Sequence, residues 1–131
     1  MTPTIGFLTF LAITVFFLVL AVITGLSAMR RWHLACVASA VLGLIMAVRY
    51  AYDLGSIYDL EAAGWITPFH LWLAKITTAL YLLPVITGIR TMFVPATRRV
   101  HRKAAYFVLA LTALSAVTGA WMLIASPIRV A

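Results

Sequence analysis

Residues 5 to 26 form an apolar run without a single charge, and this run limits the possible folds more than any other feature of the chain. A helix rises 1.5 Å per residue, so about 20 such residues match the roughly 30 Å hydrocarbon layer of a bilayer. Three more runs share the character: residues 34–52, with Arg49 near the end; residues 67–89, with Lys75; and residues 104–125. Runs of this length satisfy their own backbone in lipid only as helices. The expected fold is therefore all-α, an integral membrane four-helix bundle running up-down-up-down, with residues 1–131 as a single transmembrane domain. The first run is too long for a signal-peptide core and no basic residue precedes it, so it reads as a retained span.

Composition makes the same demand. The chain is 65% hydrophobic and 10% charged, with a mean hydropathy of +1.10. A soluble domain is about half apolar and a quarter charged. Ten Lys/Arg and three Asp/Glu do not suffice to cover such a core in water. Lipid is the first expected partner. The net charge of +7 raises nucleic acid as another, but the basic residues sit in the gaps between apolar runs, which sets nucleic acid aside. The one cysteine, Cys36, permits no intramolecular disulfide and no metal-cluster spacing.

The gaps set an orientation. Arg30, Arg31 and His33 lie between the first two runs; Arg90, Arg98, Arg99, Arg102 and Lys103 lie around His101 between the last two. Seven of the ten Lys/Arg thus share one side, while Asp53, Asp59 and Glu61 occupy the other. The positive-inside bias then places both termini outside, in a bacterial-type inner membrane. Tyr50, Tyr52, Tyr58, Trp65 and Trp72 supply an outer aromatic belt, and Trp32 an inner anchor. Arg49 and Lys75 fall in the outer thirds of their runs, where an intramembrane charge costs about 3 kcal/mol. Asp53 one turn after Arg49 and the long stem of Lys75 offer relief by pairing and snorkelling.

The halves of the chain resemble each other. Val22-Ile23-Thr24-Gly25 recurs as Val85-Ile86-Thr87-Gly88, and Met29 matches Met92. Arg30-Arg31-Trp32-His33 then matches Arg98-Arg99-Val100-His101, after a five-residue insertion, Phe93 to Thr97. Two duplicated helical hairpins, residues 1–52 and 67–125, account for this as a parallel repeat. Pro84 replaces Ala21 of the first copy and predicts a kink in the third helix alone.

Duplication puts His33 and His101 at equivalent starts of the second and fourth helices, which face each other diagonally in such a bundle. The face of His101 continues through Ala105, Val108, Thr112, Ser115, Gly119 and Met122; the matching face of the second helix holds Cys36, Ala40, Gly43 and Ala47. Small faces suit either close helix packing or a flat cofactor. On the second reading, His33 and His101 are axial ligands of haem b iron. On the first, the histidines solvate helix starts or touch lipid phosphate. His70 has Phe7 as its counterpart, so no second histidine pair forms outside. Beside Lys75 and Arg49 it suits a quinone headgroup or a bound lipid, or else a set of structural ion pairs.

From His70 to Trp121, the order His70, Arg90, His101-Arg102, Ala105-Tyr106 and Gly119 resembles the core of small bacterial four-helix membrane proteins of the transmembrane cytochrome b and ferric-reductase-like group. The resemblance covers about 50 residues. It implies haem b held by bundle histidines, with His101 as a ligand, His70 as a second-site ligand, and electron transfer across the membrane.

No nucleophile–base set, carboxylate pair or phosphate loop is present in the sequence. Three acids confined to one loop also give little support to proton-coupled transport. Two functions remain. One is a small non-catalytic membrane subunit that packs among other subunits of a larger electron-transfer or energy-converting complex. The other is a haem b electron carrier.

Overall fold

The computed structural model describes residues 1–129 and is helical almost throughout. Helix α1 spans Pro3–Leu26. It begins as its sequence dictates: the Thr2 hydroxyl accepts from the Ile5 N–H, and Pro3 occupies a first-turn position where no N–H is needed. A three-residue turn with Ala28 at φ 55° leads to α2, Arg30–Leu54. After a short 3-10 turn come α3, Ile66–Leu80, and α4, Leu82–Phe93. A second 3-10 turn, Pro95–Thr97, precedes α5, Arg98–Ala125. Four segments are long and apolar enough to cross a membrane: Pro3–Leu26, Arg30–Leu54, Ile66–Phe93 and Pro95–Ala125.

Two boundaries differ from the apolar runs. Helices α2 and α5 start several residues earlier, so Arg30, Arg31, His33, Arg98, Arg99, His101, Arg102 and Lys103 are helical rather than loop residues. Apolar windows stop at the first charge, whereas a helix continues wherever a charged side chain can reach water. The third span is interrupted at Tyr81, between α3 and α4. Pro84 has no N–H to give the Leu80 carbonyl, and the backbone departs from α geometry one turn earlier, with Tyr81 N–H shared between Thr77 and Thr78 carbonyls at 3.2 and 3.3 Å.

Contacts divide the chain into two compact units, Met1–Ile57 and Tyr58–Ala131. The first is an antiparallel hairpin. Tyr50 lies over Gly6 near its open end, Thr14 meets Gly43 midway, and His33 lies over Gly25 near the turn. Phe10 stacks on Tyr50 with ring centres 5.7 Å apart. The second unit is also an antiparallel hairpin, α3 and α4 against α5. His70 meets Gly119, Tyr81 meets Thr112, and His101 meets Gly88 along its length. Its open end is tied by the Asp59 N–H to the Pro127 carbonyl, 2.9 Å, and by the Thr67 hydroxyl to the Leu60 carbonyl.

The two units bury corresponding positions. In the register that aligns Val22 with Val85, buried Thr14 falls on buried Thr77. In the register that aligns His33 with His101, Cys36 falls on Ala104, Ala40 on Val108, and Leu54 on Met122, all buried. Interiors of this kind are thin. Among the described residues, Ile66, Val108 and Leu54 are the large side chains most fully enclosed, while Leu8, Phe16, Leu42, Ile86 and Ile124 are exposed. Arg49 and Lys75 are exposed too.

Candidate functional site

The three histidines of the chain are held in the same way. His33 is the fourth residue of α2, and its Nδ1 lies 2.8 Å from the Ala21 carbonyl oxygen on α1. A carbonyl only accepts, so Nδ1 carries the proton, and in the neutral ring Nε2 carries the lone pair. His101, the fourth residue of α5, places Nδ1 3.3 Å from the Thr87 hydroxyl. That hydroxyl donates its own proton to the Leu83 carbonyl at 2.8 Å, so it accepts from His101. His70 on α3 donates from Nδ1 to the Thr118 hydroxyl at 3.0 Å, and Thr118 donates onward to the Leu114 carbonyl at 2.9 Å.

Each ring also rests on a glycine of the facing helix. A Cβ built on Gly25 would lie 3.1 Å from His33 Nδ1, one on Gly88 would lie 3.1 Å from His101 Cε1, and one on Gly119 would lie 2.8 Å from His70 Cε1. A side chain at Gly119 would force the His70 ring to shift, and one at Gly25 or Gly88 would crowd the ring above it. Glycine at these positions is a matter of space, since all three lie in regular helix. His33 rests on Gly25 and bonds the Ala21 carbonyl, whereas His101 rests on Gly88 and bonds the Thr87 hydroxyl. The seating of His70 has no such counterpart, because the first hairpin has Gly6 under Tyr50 near its open end.

The small faces serve helix packing within each hairpin. Cys36, Ala40, Gly43 and Ala47 are all buried, and Gly43 is pressed so closely on Thr14 that a Cβ would lie 2.7 Å from its hydroxyl. On α5, Thr112 receives a hydrogen bond from Tyr81 at 2.8 Å, and Ser115 and Thr77 share one at 3.4 Å. His70–Thr118, Thr77–Ser115 and Tyr81–Thr112 form a polar seam along the half of the second hairpin nearer its open end. His70 and His101 lie at opposite ends of that hairpin, so it does not bring them together. Among the described residues no group of three or more His, Cys, Asp or Glu is placed to hold a metal ion.

Sequence reading placed Thr112, Ser115 and Gly119 on one stripe but did not assign them partners. It missed Thr118 altogether, because Thr118 lies one residue before the stripe position Gly119. Thr118→Val removes the acceptor of the half-buried His70 N–H. It is expected to lower the stability of the detergent-solubilised protein by about 1–2 kcal/mol. Thr118→Ser, which keeps the hydroxyl, should recover most of the loss in the same thermal melt followed by circular dichroism.

Comparison with protein-family models, with curated proteins and with solved structures finds no match to this chain.

Proposed function

We propose that this chain is a small non-catalytic subunit of an integral membrane complex, of the electron-transfer or energy-converting kind. It is built from two duplicated hairpins in a bacterial-type inner membrane with both termini outside. One observation carries the reading. The polar side chains within the spans are spent on pinning each hairpin's own helices together, while the large apolar side chains face outward. His33, His70, Thr77, Tyr81 and His101 all bond across their hairpin. Among the described residues no buried side-chain nitrogen or oxygen lacks a partner. A chain organised in this way presents scaffold and surface, and its outward faces are what other membrane subunits would pack against.

A second reading, a haem b electron carrier with His33 and His101 as axial ligands, is favoured by the tautomer of those two rings. Ligating histidines ordinarily donate their second ring nitrogen to a carbonyl or hydroxyl, which orients the ring and raises its basicity. Nδ1 of His33 and of His101 does this, which prepares Nε2 as the ligating atom. The haem would supply one-electron transfer. His70 is prepared alike.

One preparation separates the two readings. The protein is purified in mild detergent from its own membranes, its size is taken by native electrophoresis, and a reduced-minus-oxidised spectrum is recorded with a pyridine haemochrome assay. The subunit reading expects a stoichiometric complex well above 14.4 kDa, with no α-band that depends on this chain. A b-type α-band abolished by His33→Ala or His101→Ala would replace it with the haem reading. A colourless protein that runs alone would sink both.

A further inference from the structure

The inner end of the second hairpin has a charge problem that its own residues do not solve. Helix α5 opens with Arg98, Arg99, Arg102 and Lys103, all exposed, and Arg90 stands exposed in the last turn of α4. A helix N-terminus carries a partial positive charge and four N–H groups without helical acceptors. Acidic residues ordinarily occupy such a turn; here there is none, and no side chain caps the helix. The acids of this unit, Asp59 and Glu61, precede α3 at the opposite end of the hairpin. Four cations therefore add to the dipole where anions are wanted.

Next to this charge lies the insertion that distinguishes the second copy from the first. Phe93 to Thr97 forms a fixed turn: the Val94 N–H bonds the Arg90 carbonyl at 2.8 Å, and the Thr97 hydroxyl bonds the Val94 carbonyl at 2.8 Å. At its tip Phe93 is 80% exposed, with Val94 and Val100 also outward. Exposed cations flanking an exposed aromatic tip match the boundary of an anionic bilayer, where each Lys or Arg near the surface contributes about 1 kcal/mol and apolar side chains enter between headgroups.

We infer that the α4–α5 turn is a binding surface for anionic phospholipid headgroups. Lipid phosphates neutralise Arg98, Arg99, Arg102 and Lys103, while Phe93 and Val94 sit among the acyl chains. The inference rests on the helices lying in a bilayer, not on either reading of the histidines. The first copy, with Arg30 and Arg31 and no insertion, is the weaker surface.

The full-length protein, in mixed micelles of phosphatidylglycerol and phosphatidylcholine, is analysed by native mass spectrometry for retained lipid. The expected result is a preference of about tenfold or more for phosphatidylglycerol, falling several-fold at about 0.5 M salt. R98Q/R99Q/R102Q/K103Q should lose the preference and R30Q/R31Q should keep most of it. Phe93→Ser, which alters no charge, should lower retention several-fold. Equal retention of the two lipids by the wild type, or a preference unchanged by salt, overturns the inference without any variant. Displacement of the lipid by inorganic phosphate at matched concentration overturns the lipid assignment in favour of free phosphate.

Discussion

Gly43→Leu should open the first hairpin. The hydroxyl of Thr14 sits where even a Cβ on residue 43 would have to go, at 2.7 Å, and the Thr14 backbone nitrogen stands behind it at 3.4 Å. Thr14 has little freedom to yield. It is β-branched, it is 2% exposed, and its hydroxyl donates to the Phe10 carbonyl at 2.7 Å. Relief therefore comes from moving α1 away from α2, which also loosens Tyr50 from Gly6 and His33 from Gly25. Overpacking of this kind costs about 1–3 kcal/mol, and a leucine belongs at the upper end. Cys36 reports the change, since it is buried on the same face of α2 two turns from Gly43. Its maleimide labelling in micelles should rise by about tenfold or more, following the population of the opened hairpin. Gly6→Ala is the control. Its Cβ would meet only the ring of Tyr50, a side chain able to swing aside, so labelling should change little. Equal labelling of Gly43→Leu and wild type would show that α1 and α2 are not held at this point.

The contrast between Gly43 and the histidines shows what could be read from residues alone. Four helices long and apolar enough to cross a membrane were legible because bilayer thickness fixes a length and lipid excludes charge, two conditions that hold along a one-dimensional string. Pro84 announced a break, but its place at Tyr81 depends on which carbonyl loses its donor, one turn back along the helix. The starts of α2 and α5 were hidden, since Arg30 and Arg98 end an apolar run without ending a helix. The recurrence of Thr-Gly and histidine in both halves singled out Gly25 with His33 and Gly88 with His101, and in each case the ring lies on that glycine. Chain order carries no information on where a ring turns, so it did not show that His33 and His101 each lie on the glycine of their own hairpin. The small face of α2 was open to two uses, and the 2.7 Å approach of Gly43 to Thr14 assigns its middle to packing. His70–Thr118 was the least legible pair: it joins residues 48 apart and occurs in the second hairpin only.

Orientation in the membrane should respond to the cations and ignore the acids. Seven Lys/Arg flank the two turns that join α1 to α2 and α4 to α5, against Arg49, Lys75 and Arg129 toward the other ends. Each charge moved across an energised membrane costs about 2.3 kcal/mol per 100 mV, and the sorting acts on Lys and Arg near span ends while Asp and Glu contribute little. An alkaline phosphatase domain fused after the C-terminus should thus be active in the wild type, and a fluorescent-protein fusion at the same place dark. R30Q/R31Q/R98Q/R99Q/R102Q/K103Q leaves Arg90 against Arg49, Lys75 and Arg129, so the bias is reversed. Roughly half or more of the phosphatase activity should be lost, with a matching gain of fluorescence as part of the population inserts the other way. D53N/D59N/E61Q changes net charge by half as much and in the opposite direction, yet removes no Lys or Arg. It should leave both reporters where they were. If the acid variant reorients the chain as strongly as the cation variant, net charge rather than cation placement governs insertion. A wild-type fusion that is fluorescent and without phosphatase activity would place both termini inside, and the basic turns would then face outward against the bias that orients the spans.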